Sequence, residues 1–254
     1  MRRLTKENEL GEGAIHSSHK SYVGLCTAHC HGFFEIEYFA KGAGEHIMDG
    51  ESCEVEDGLL FFMTPLNFHS FRVEGAQLYN TMFSEAICDT SVLSRLMMDE
   101  RGLTLRVKGE DKAFLEMLFG ELCKKYTNEE YASCLINTVL CKLLELKGES
   151  VGEVSAVSRA LVYIIENFQK KLTLAHVAGY AGFTPTYFSA LFKEETGVCF
   201  KEYLDSLRFG YAKKLLEHTD KTVAQICTES GFDDYPNFVR RFKAHYGVTP
   251  GNAR

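Results

Sequence analysis

The sequence predicts an α+β protein of two domains, an antiparallel β-barrel with trailing helices followed by an all-α domain. Short apolar or alternating runs separated by glycine turns occupy the first third of the chain, which is typical of a small barrel or sandwich. The periodicity becomes helical after residue 84, and a repeat of about fifty residues fills the C-terminal part. At 254 residues, the chain is long enough for two domains that each bury a core.

The barrel is predicted over about residues 15–83. Its strand-like runs are Tyr22–Ala28, Phe33–Ala40, Gly44–Met48 and Gly58–Met63. The turn signals between them are His31-Gly32, Lys41-Gly42-Ala43-Gly44, Asp49-Gly50 and Asp57-Gly58. An Asp-Gly pair between strands favours a two-residue hairpin, because both residues adopt positive φ at little cost.

Helices are predicted over about residues 91–147, which complete the first domain (1–147). Their periodic segments are Ser91–Glu100, Lys112–Tyr126 and Glu129–Leu146. The third has an apolar stripe formed by Leu135, Ile136, Val139, Leu140, Leu143 and Leu144. This stripe fits two interpretations equally, packing on the barrel or a dimer interface. Residues 148–155, with glycine and glutamate, are interpreted as the interdomain linker.

The second domain (156–254) contains an internal repeat. Its predicted helices are Val157–Phe168, Thr173–Gly179, Pro185–Glu195, Phe200–His218, Val223–Ser230 and Pro236–His245. Val177-Ala178-x-x-Ala181-Gly182-Phe183 recurs 49 residues later as Ile226-Cys227-x-x-Ser230-Gly231-Phe232. Phe188-x-x-x-Phe192-Lys193-x-x-x-Gly197-Val198 recurs 50 residues later at 238–248. Each copy predicts a short helix ended by glycine and a capped second helix, which is a helix-turn-helix unit; a long helix joins the two units.

The C-terminal copy resembles a known family. Gly231-Phe232, Phe238-x-Arg240-x-Phe242-Lys243, Gly247-x-Thr249-Pro250 and Arg254 closely resemble the signature of the AraC/XylS transcription regulators. Leu207-Arg208 and Ala212 with Leu215-Leu216, on the long helix, extend the resemblance to about 100 residues. The resemblance implies a module that places two recognition helices in successive major grooves of double-stranded DNA.

The exposed faces of the second helices supply the expected DNA contacts. These are Thr186, Ser189 and Lys193 in the first unit, and Tyr235, Asn237, Arg240, Arg241 and Lys243 in the second. Asparagine and arginine can pair with adenine and guanine edges, whereas lysines suit the DNA backbone. We expect the stem of Arg241 to pack while its head reaches phosphates. Ala190 stands where the second unit has Arg240, so the first unit loses one expected contact.

The distribution of charge agrees with the prediction of a DNA-binding second domain. The net charge is −7 overall, but residues 156–254 hold 13 Lys/Arg and 10 Asp/Glu, a net of +3, which leaves −10 for the rest. An acidic sensor carrying a mildly basic binding module fits this split. The N-terminus lacks an apolar h-region, and no run approaches the roughly 20 apolar residues that span a bilayer, so we expect a cytoplasmic protein without a membrane partner.

The barrel region contains a second pattern. His29-Cys30-His31-x-x-x-Glu35, followed by Gly42, resembles the first motif of the cupins, and Pro65-x-x-x-His69 resembles a shortened second motif. Because residues i and i+2 share a strand face, His29 and His31 can converge. His29, His31, Glu35 and His69 could therefore bind Zn, Fe, Ni or Mn. The same four residues could instead be the polar lining of a pocket for an organic effector, and both interpretations stay open.

The resemblance implies a regulator and not an enzyme, with a small-molecule effector in the barrel. A sugar is the first candidate effector, and carbohydrate or other metabolic genes are the first candidate targets. It further implies a homodimer, a contact with RNA polymerase and a role as an activator. Two rivals remain: a metal-dependent cupin enzyme, such as an isomerase or dioxygenase, and a protein that binds partners through its apolar helix stripe. Turnover by the purified protein would favour the first, and failure to bind any DNA the second.

Overall fold

The computed structural model describes residues 2–4, 14–97, 102–124, 128–148 and 157–253. The chain divides into two compact units, Arg2–Val154 and Ser155–Arg254. All but the first residue of the expected linker, and Arg254 of the signature, lie outside the described residues. Within the described part of the chain, no helix is long and apolar enough to cross a membrane.

The first unit is built on one seven-stranded sheet. Its strands are β1 (Arg2–Leu4), β2 (Ile15–His31), β3 (Phe34–Met48), β4 (Glu51–Val55), β5 (Leu59–Met63), β6 (His69–Phe83) and β7 (Leu103–Arg106). The order across the sheet is β1-β2-β6-β3-β5-β7, and β4 pairs with β3. All pairs are antiparallel except β1 with β2, which confirms the predicted antiparallel fold class of this domain.

The predicted turn at Lys41–Gly44 is wrong, because β3 runs through it. The β3–β6 ladder shifts register between Phe39 and Lys41 and again between Ala43 and Gly44, as at β-bulges. Gly44 has φ 151°, and a Cβ there would lie 2.1 Å from the carbonyl oxygen of Arg72. The glycines therefore permit a bend within a long strand. The Asp49-Gly50 hairpin is confirmed, with φ 52° and 87°.

Four strands were not predicted individually, namely β1, β4, β6 and β7. Strand β7 lies inside the region expected to be helical. Its residues Leu103–Arg106 extend the sheet by pairing with β5. Four alternating residues are too few for a pattern to reveal such a strand, since its place depends on a partner elsewhere in the chain.

The β3–β6 ribbon folds back on itself. Glu35 pairs with Met82, and His69 stands thirteen residues before Met82 on the same strand. A straight strand would separate these positions by about 40 Å. The Nε2 atom of His69 nevertheless lies 3.2 Å from Oε2 of Glu35. The bulges thus curl the sheet so that its inner face encloses side chains from both ends of the ribbon.

Three helices follow the sheet, and their apolar stripe is internal. They are α1 (Thr90–Leu96), α2 (Gly109–Leu122) and α3 (Glu129–Lys147), and α3 packs against α1 and α2. A short 3₁₀ turn, Glu85–Ile87, precedes α1. The α3 residues from Leu135 to Leu144 that formed the predicted stripe are all buried in the domain. The packing interpretation is therefore favoured, because these side chains are already covered.

The second unit is all helical and repeats its backbone. Its helices are α4 (Ser158–Asn167), α5 (Leu174–Tyr180), α6 (Pro185–Thr196), α7 (Phe200–His218), α8 (Val223–Glu229) and α9 (Tyr235–Tyr246), with a final 3₁₀ turn at Pro250–Asn252. Helices α5–α6 and α8–α9 are the two predicted helix-turn-helix units, and α7 is the predicted long connection. Helices α6 and α9 end at Gly197 and Gly247, which share φ 78° and ψ −14°.

Arg208 of α7 contacts both the residues that follow α4 and the second helix-turn-helix unit. Its Nε donates to the carbonyl oxygen of Phe168 and its Nη2 to that of Lys170, both at 2.7 Å. The guanidinium also lies over the ring of Phe232, 5.7 Å from the centroid. The turn at Gly231 also lies close to this guanidinium. One arginine thus satisfies carbonyls after α4 and covers the aromatic residue that fixes the turn.

We predict that Gly231→Ala destabilises the protein more than Gly182→Ala. The two glycines have φ 85° and 82°, so alanine is strained at both, by about 1–2 kcal/mol. A Cβ on Gly231 would lie 2.8 Å from the Gln169 carbonyl oxygen, whereas among the described atoms none comes within 4 Å of a Cβ on Gly182. Thermal unfolding followed by circular dichroism should give the lower midpoint for Gly231→Ala, and equal midpoints would contradict the close approach.

Candidate functional site

Helices α6 and α9 bury one face and leave the other to solvent. Phe188 and Phe192 of α6, and Phe238 and Phe242 of α9, are fully buried. The side chain of Thr184 caps α6 by accepting a hydrogen bond from Tyr187 N. Asp234 caps α9 in the same way, by accepting from Asn237 N at 3.0 Å, and these caps fix where each exposed face begins.

All eight predicted DNA-contacting residues lie on α6 and α9. The exposed ones are Thr186, Lys193, Tyr235, Arg240 and Lys243, and the half-buried ones are Ser189, Asn237 and Arg241. Tyr187, with 57% of its surface exposed, was missed. It occupies in the first unit the position of Asn237 in the second, so the sequence repeat could have identified it.

Arg240 is held in place on its helix. Its Nη2 donates to Asn237 Oδ1 at 2.9 Å, one turn earlier on α9. Arg240 is exposed and Asn237 is half-buried, so a guanidinium and an amide lie side by side at the surface of α9. Such a pair can read adjacent base edges, because both side chains offer planar hydrogen-bonding groups.

Arg241 lies differently from its neighbour. Its Nη2 is hydrogen-bonded and ion-paired with Asp205 of α7, and its guanidinium lies over the Phe209 ring at 5.6 Å. The side chain of Arg241 is 30% exposed and that of Asp205 is 13% exposed. The guanidinium head is engaged by α7, so the expected phosphate contact of Arg241 stays a prediction that competes with this ion pair.

The barrel contains a cavity of about 220 Å³. Strands β2, β3 and β6 supply its walls, which combine polar and apolar side chains. The lining residues are His16, Ser18, Lys20, Tyr22, Cys26, His29, Glu35, Glu37, Phe71, Leu78, Asn80 and Met82. A volume of this size suits a ligand smaller than a typical drug molecule.

The four predicted barrel residues do meet, and two of them, His29 and Glu35, line this cavity. Oε2 of Glu35 lies 2.6 Å from Nε2 of His31 and 3.2 Å from Nε2 of His69. His29 is half-buried, and its ring centroid is 4.2 Å from that of His69. Asn80 adds a fifth member, because its Nδ2 donates to Glu35 Oε1 at 2.6 Å.

Two further members, Glu37 and His46, were missed by the sequence analysis. Oε2 of Glu37 lies 3.0 Å from Nε2 of His46 and 3.5 Å from Nδ1 of His69. Strand alternation could have identified Glu37, which follows Glu35 by two residues and so shares its face. His46 could not be assigned in this way, since the wrongly predicted turn at Lys41–Gly44 broke the face between them.

Burial and ion pairing shift the pKa values of Glu35, Glu37 and His69 in opposite directions. Burial alone would raise the pKa of Glu35 and Glu37. The neighbouring imidazoles outweigh it, holding the pKa of Glu35 well below its usual range and lowering the pKa of Glu37 to about 2. Burial alone would lower the pKa of His69, but Glu37 and Glu35 raise it to about 10. Burial and the neighbouring His69 lower the pKa of His29 to about 4.

The metal-ligand pattern expected from the motif is only partly reproduced. Ligand atoms of His29, Glu35 and His69 lie within 4.8 Å of one another. Glu37, His46 and His69 form a second such group, and all three are buried. His31 belongs to neither group among the described residues; its Nδ1 lies 2.8 Å from the carbonyl oxygen of Phe33.

Two exposed recognition faces and a polar cavity in a separate domain define a DNA-binding regulator with a ligand-binding domain. Residues 22–139 match the model of the AraC-like ligand binding domain, and residues 177–254 match a helix-turn-helix domain model. The chain belongs to the AraC family of transcription regulators, as its C-terminal signature predicted.

Three curated relatives agree with this assignment. The Tn10 TetD protein of Escherichia coli is 37% identical over 100 residues, which are 39% of this chain and 72% of TetD. The HTH-type transcriptional regulator YfiF of Bacillus subtilis is 24% identical, with 88% of this chain and 77% of YfiF covered. YtdP, another such regulator from Bacillus subtilis, is 31% identical over 141 residues, 55% of this chain but only 18% of YtdP.

We predict that Arg241→Ala destabilises the second unit, whereas Lys243→Ala does not. Removing Arg241 leaves the partly buried Asp205 without its ion pair, at a cost of about 1–3 kcal/mol, while Lys243 is exposed. Thermal unfolding of the full-length variants measures the difference. An unchanged midpoint for Arg241→Ala, combined with weaker DNA binding, would show instead that Arg241 acts mainly on phosphates.

Proposed function

We propose that this regulator binds specific DNA sites through the exposed faces of α6 and α9, under the control of a small polar effector in the barrel cavity. The observation that carries the proposal is the repeated geometry of the two units: equivalent caps, equivalent buried phenylalanines and the same glycine conformation at the end of α6 and α9. Two such faces on one domain suit two half-sites about one helical turn apart.

The lining of the cavity favours a polyhydroxylated effector such as a sugar. The cavity is lined by side chains that donate or accept hydrogen bonds, namely Glu35, Asn80, Ser18 and Lys20. Tyr22 adds an aromatic ring to the lining. Hydroxyl groups can satisfy both the carboxylate oxygens and the amide, since each hydroxyl donates one hydrogen bond and accepts others. Carbohydrate or other metabolic genes are the corresponding targets.

Control requires that the effector binds one state of the protein more tightly than another. We propose that binding in the cavity changes promoter occupancy or the recruitment of RNA polymerase by a cytoplasmic homodimer, and that the usual outcome is activation. An authentic effector that left DNA affinity, site spacing and transcription all unchanged would contradict this mechanism.

The first experiment is the selection of bound duplexes from a random DNA pool with the full-length chain at a stated salt concentration. Enrichment of two sequence blocks about one helical turn apart supports the proposed reading by both units. One enriched block would assign recognition to a single unit. If nothing is enriched with or without candidate sugars, sequence-specific binding by this domain is contradicted.

We predict that Arg240→Ala weakens binding to the selected site by about 1–3 kcal/mol and relaxes specificity at one base pair. The hydrogen bond from Arg240 to Asn237 supports this prediction, because it orients the guanidinium beside an amide that can also contact a base edge. Lys243→Ala is the control, and it should weaken binding on all sequences while lowering the salt dependence. Fluorescence anisotropy on matched and mismatched duplexes makes the comparison. Uniform weakening by Arg240→Ala would reassign it to phosphate.

We predict that Asn80→Leu removes the response to the effector and leaves DNA binding in its absence intact. Asn80 lines the cavity and donates to Glu35, whereas Gln77, on the opposite face of β6, bonds to Ser21. Sugars are screened for those that raise the unfolding temperature of the wild type. The shift should disappear in Asn80→Leu and persist in Gln77→Leu, and equal shifts in both would place the effector elsewhere.

A further inference from the structure

We propose that Glu37, His46 and His69 bind a divalent transition-metal ion in the barrel, beside the cavity that Glu37 lines. Two of these residues lie outside the cupin-like motif, so the site differs from the ligand set that the motif predicts. The proposal rests on the geometry of the barrel and does not depend on which DNA sequence or effector the protein recognises.

The spacing of the three ligand atoms fits one ion. Tetrahedral zinc with bonds of about 2.0–2.2 Å separates its ligand atoms by about 3.3–3.6 Å. Oε2 of Glu37 lies 3.0 Å from Nε2 of His46 and 3.5 Å from Nδ1 of His69. The third pair of ligand atoms, on His46 and His69, lies within 4.8 Å. Two imidazoles and one carboxylate suit zinc, iron, manganese and similar ions.

The motif carboxylate Glu35 is less available to an ion than Glu37. Nε2 of His31 and Oε2 of Glu35 are 2.6 Å apart, which is shorter than the separation of two ligand atoms on one ion. Asn80 donates to the other oxygen of Glu35. Glu37, like Glu35, faces two imidazole nitrogens, and its hydrogen bond with His46 is a contact that an ion would replace.

The surroundings hold His46 rigidly. Its ring stacks on Phe61 at 3.7 Å and 16°, and it also contacts the rings of Phe39 and Phe71. Apolar packing on its faces directs the polar edge at Nε2 towards Glu37. A ligand fixed in this way loses little entropy when it binds metal, which favours tight binding.

Buried polar atoms at the site need a partner. His69 is 1% exposed, yet neither of its ring nitrogens makes a well-directed hydrogen bond in the described part of the chain. Two carboxylates, Glu35 and Glu37, are buried beside it, and His69 is ion-paired with both. A divalent ion bound by Nδ1 of His69 and by Glu37 would displace the proton from that nitrogen and compensate the charge of Glu37 in its place. Glu37 also lines the cavity, which provides an entry route and an open coordination position.

The test is metal binding by the full-length protein after chelation and dialysis. Zn²⁺ binding is measured by calorimetry, and Co²⁺ binding by its visible absorption. We expect one ion per chain, with affinity reduced on the order of 100-fold or more in His46→Gln and Glu37→Gln, since even supporting residues change affinity 10–100-fold. His19→Gln, at an exposed site on β2, is the control and should bind normally.

The proposal would be overturned if the wild type bound no metal, or if His46→Gln bound it as tightly as the wild type. It would also be overturned if His29→Gln lost binding while His46→Gln retained it. The last would assign the metal to His29, Glu35 and His69. If a variant fails to fold by circular dichroism, the zinc-edge anomalous map of wild-type crystals decides the question. A peak bonded to His46 supports the site, and a peak at His29 or no peak contradicts it. DNA selection with metal-free protein tests the regulator role separately.

Discussion

The inner face of the first domain depends on how two buried carboxylates, Glu35 and Glu37, are neutralised. They stand two residues apart on β3, and His69 lies between them with one ring nitrogen towards each. Burying a carboxylate without a partner is costly, so the sheet must bring imidazoles to these positions. His69 is far from Glu35 along the β3–β6 ladder, and the contact forms only because the ribbon curls.

In the second domain, α6 and α9 each expose one face to solvent while packing on the opposite face holds the helix in place. Each unit buries a pair of phenylalanines under its second helix and closes the turn with a glycine. The long helix α7 contributes Arg208 and Asp205, which contact α4 and α9 respectively. Arginines therefore have two roles in this domain, since Arg208 and Arg241 stabilise packing whereas Arg240 is directed to solvent.

The two domains use polar residues in opposite ways. In the helix-turn-helix units the polar groups are exposed, where water solvates them until DNA replaces it. In the barrel they are buried, where few hydrogen-bonding partners are available and any ligand that supplies them gains affinity.

The sequence by itself determined the two-domain order, the repeat, the family and most helix boundaries of the second domain. Those features depend on local signals such as caps, glycine stops and the spacing of phenylalanines, which act within a few residues. It also indicated His29, His31, Glu35 and His69, because short motifs and strand alternation are local as well. Tertiary structure alone decided that β3 continues through Lys41–Gly44, that β7 joins the sheet, and that the apolar stripe of α3 is covered within its domain. It likewise added His46 and separated Arg241 from Arg240, since contacts between distant strands and helices follow from sheet curvature and packing, which no short window of sequence contains.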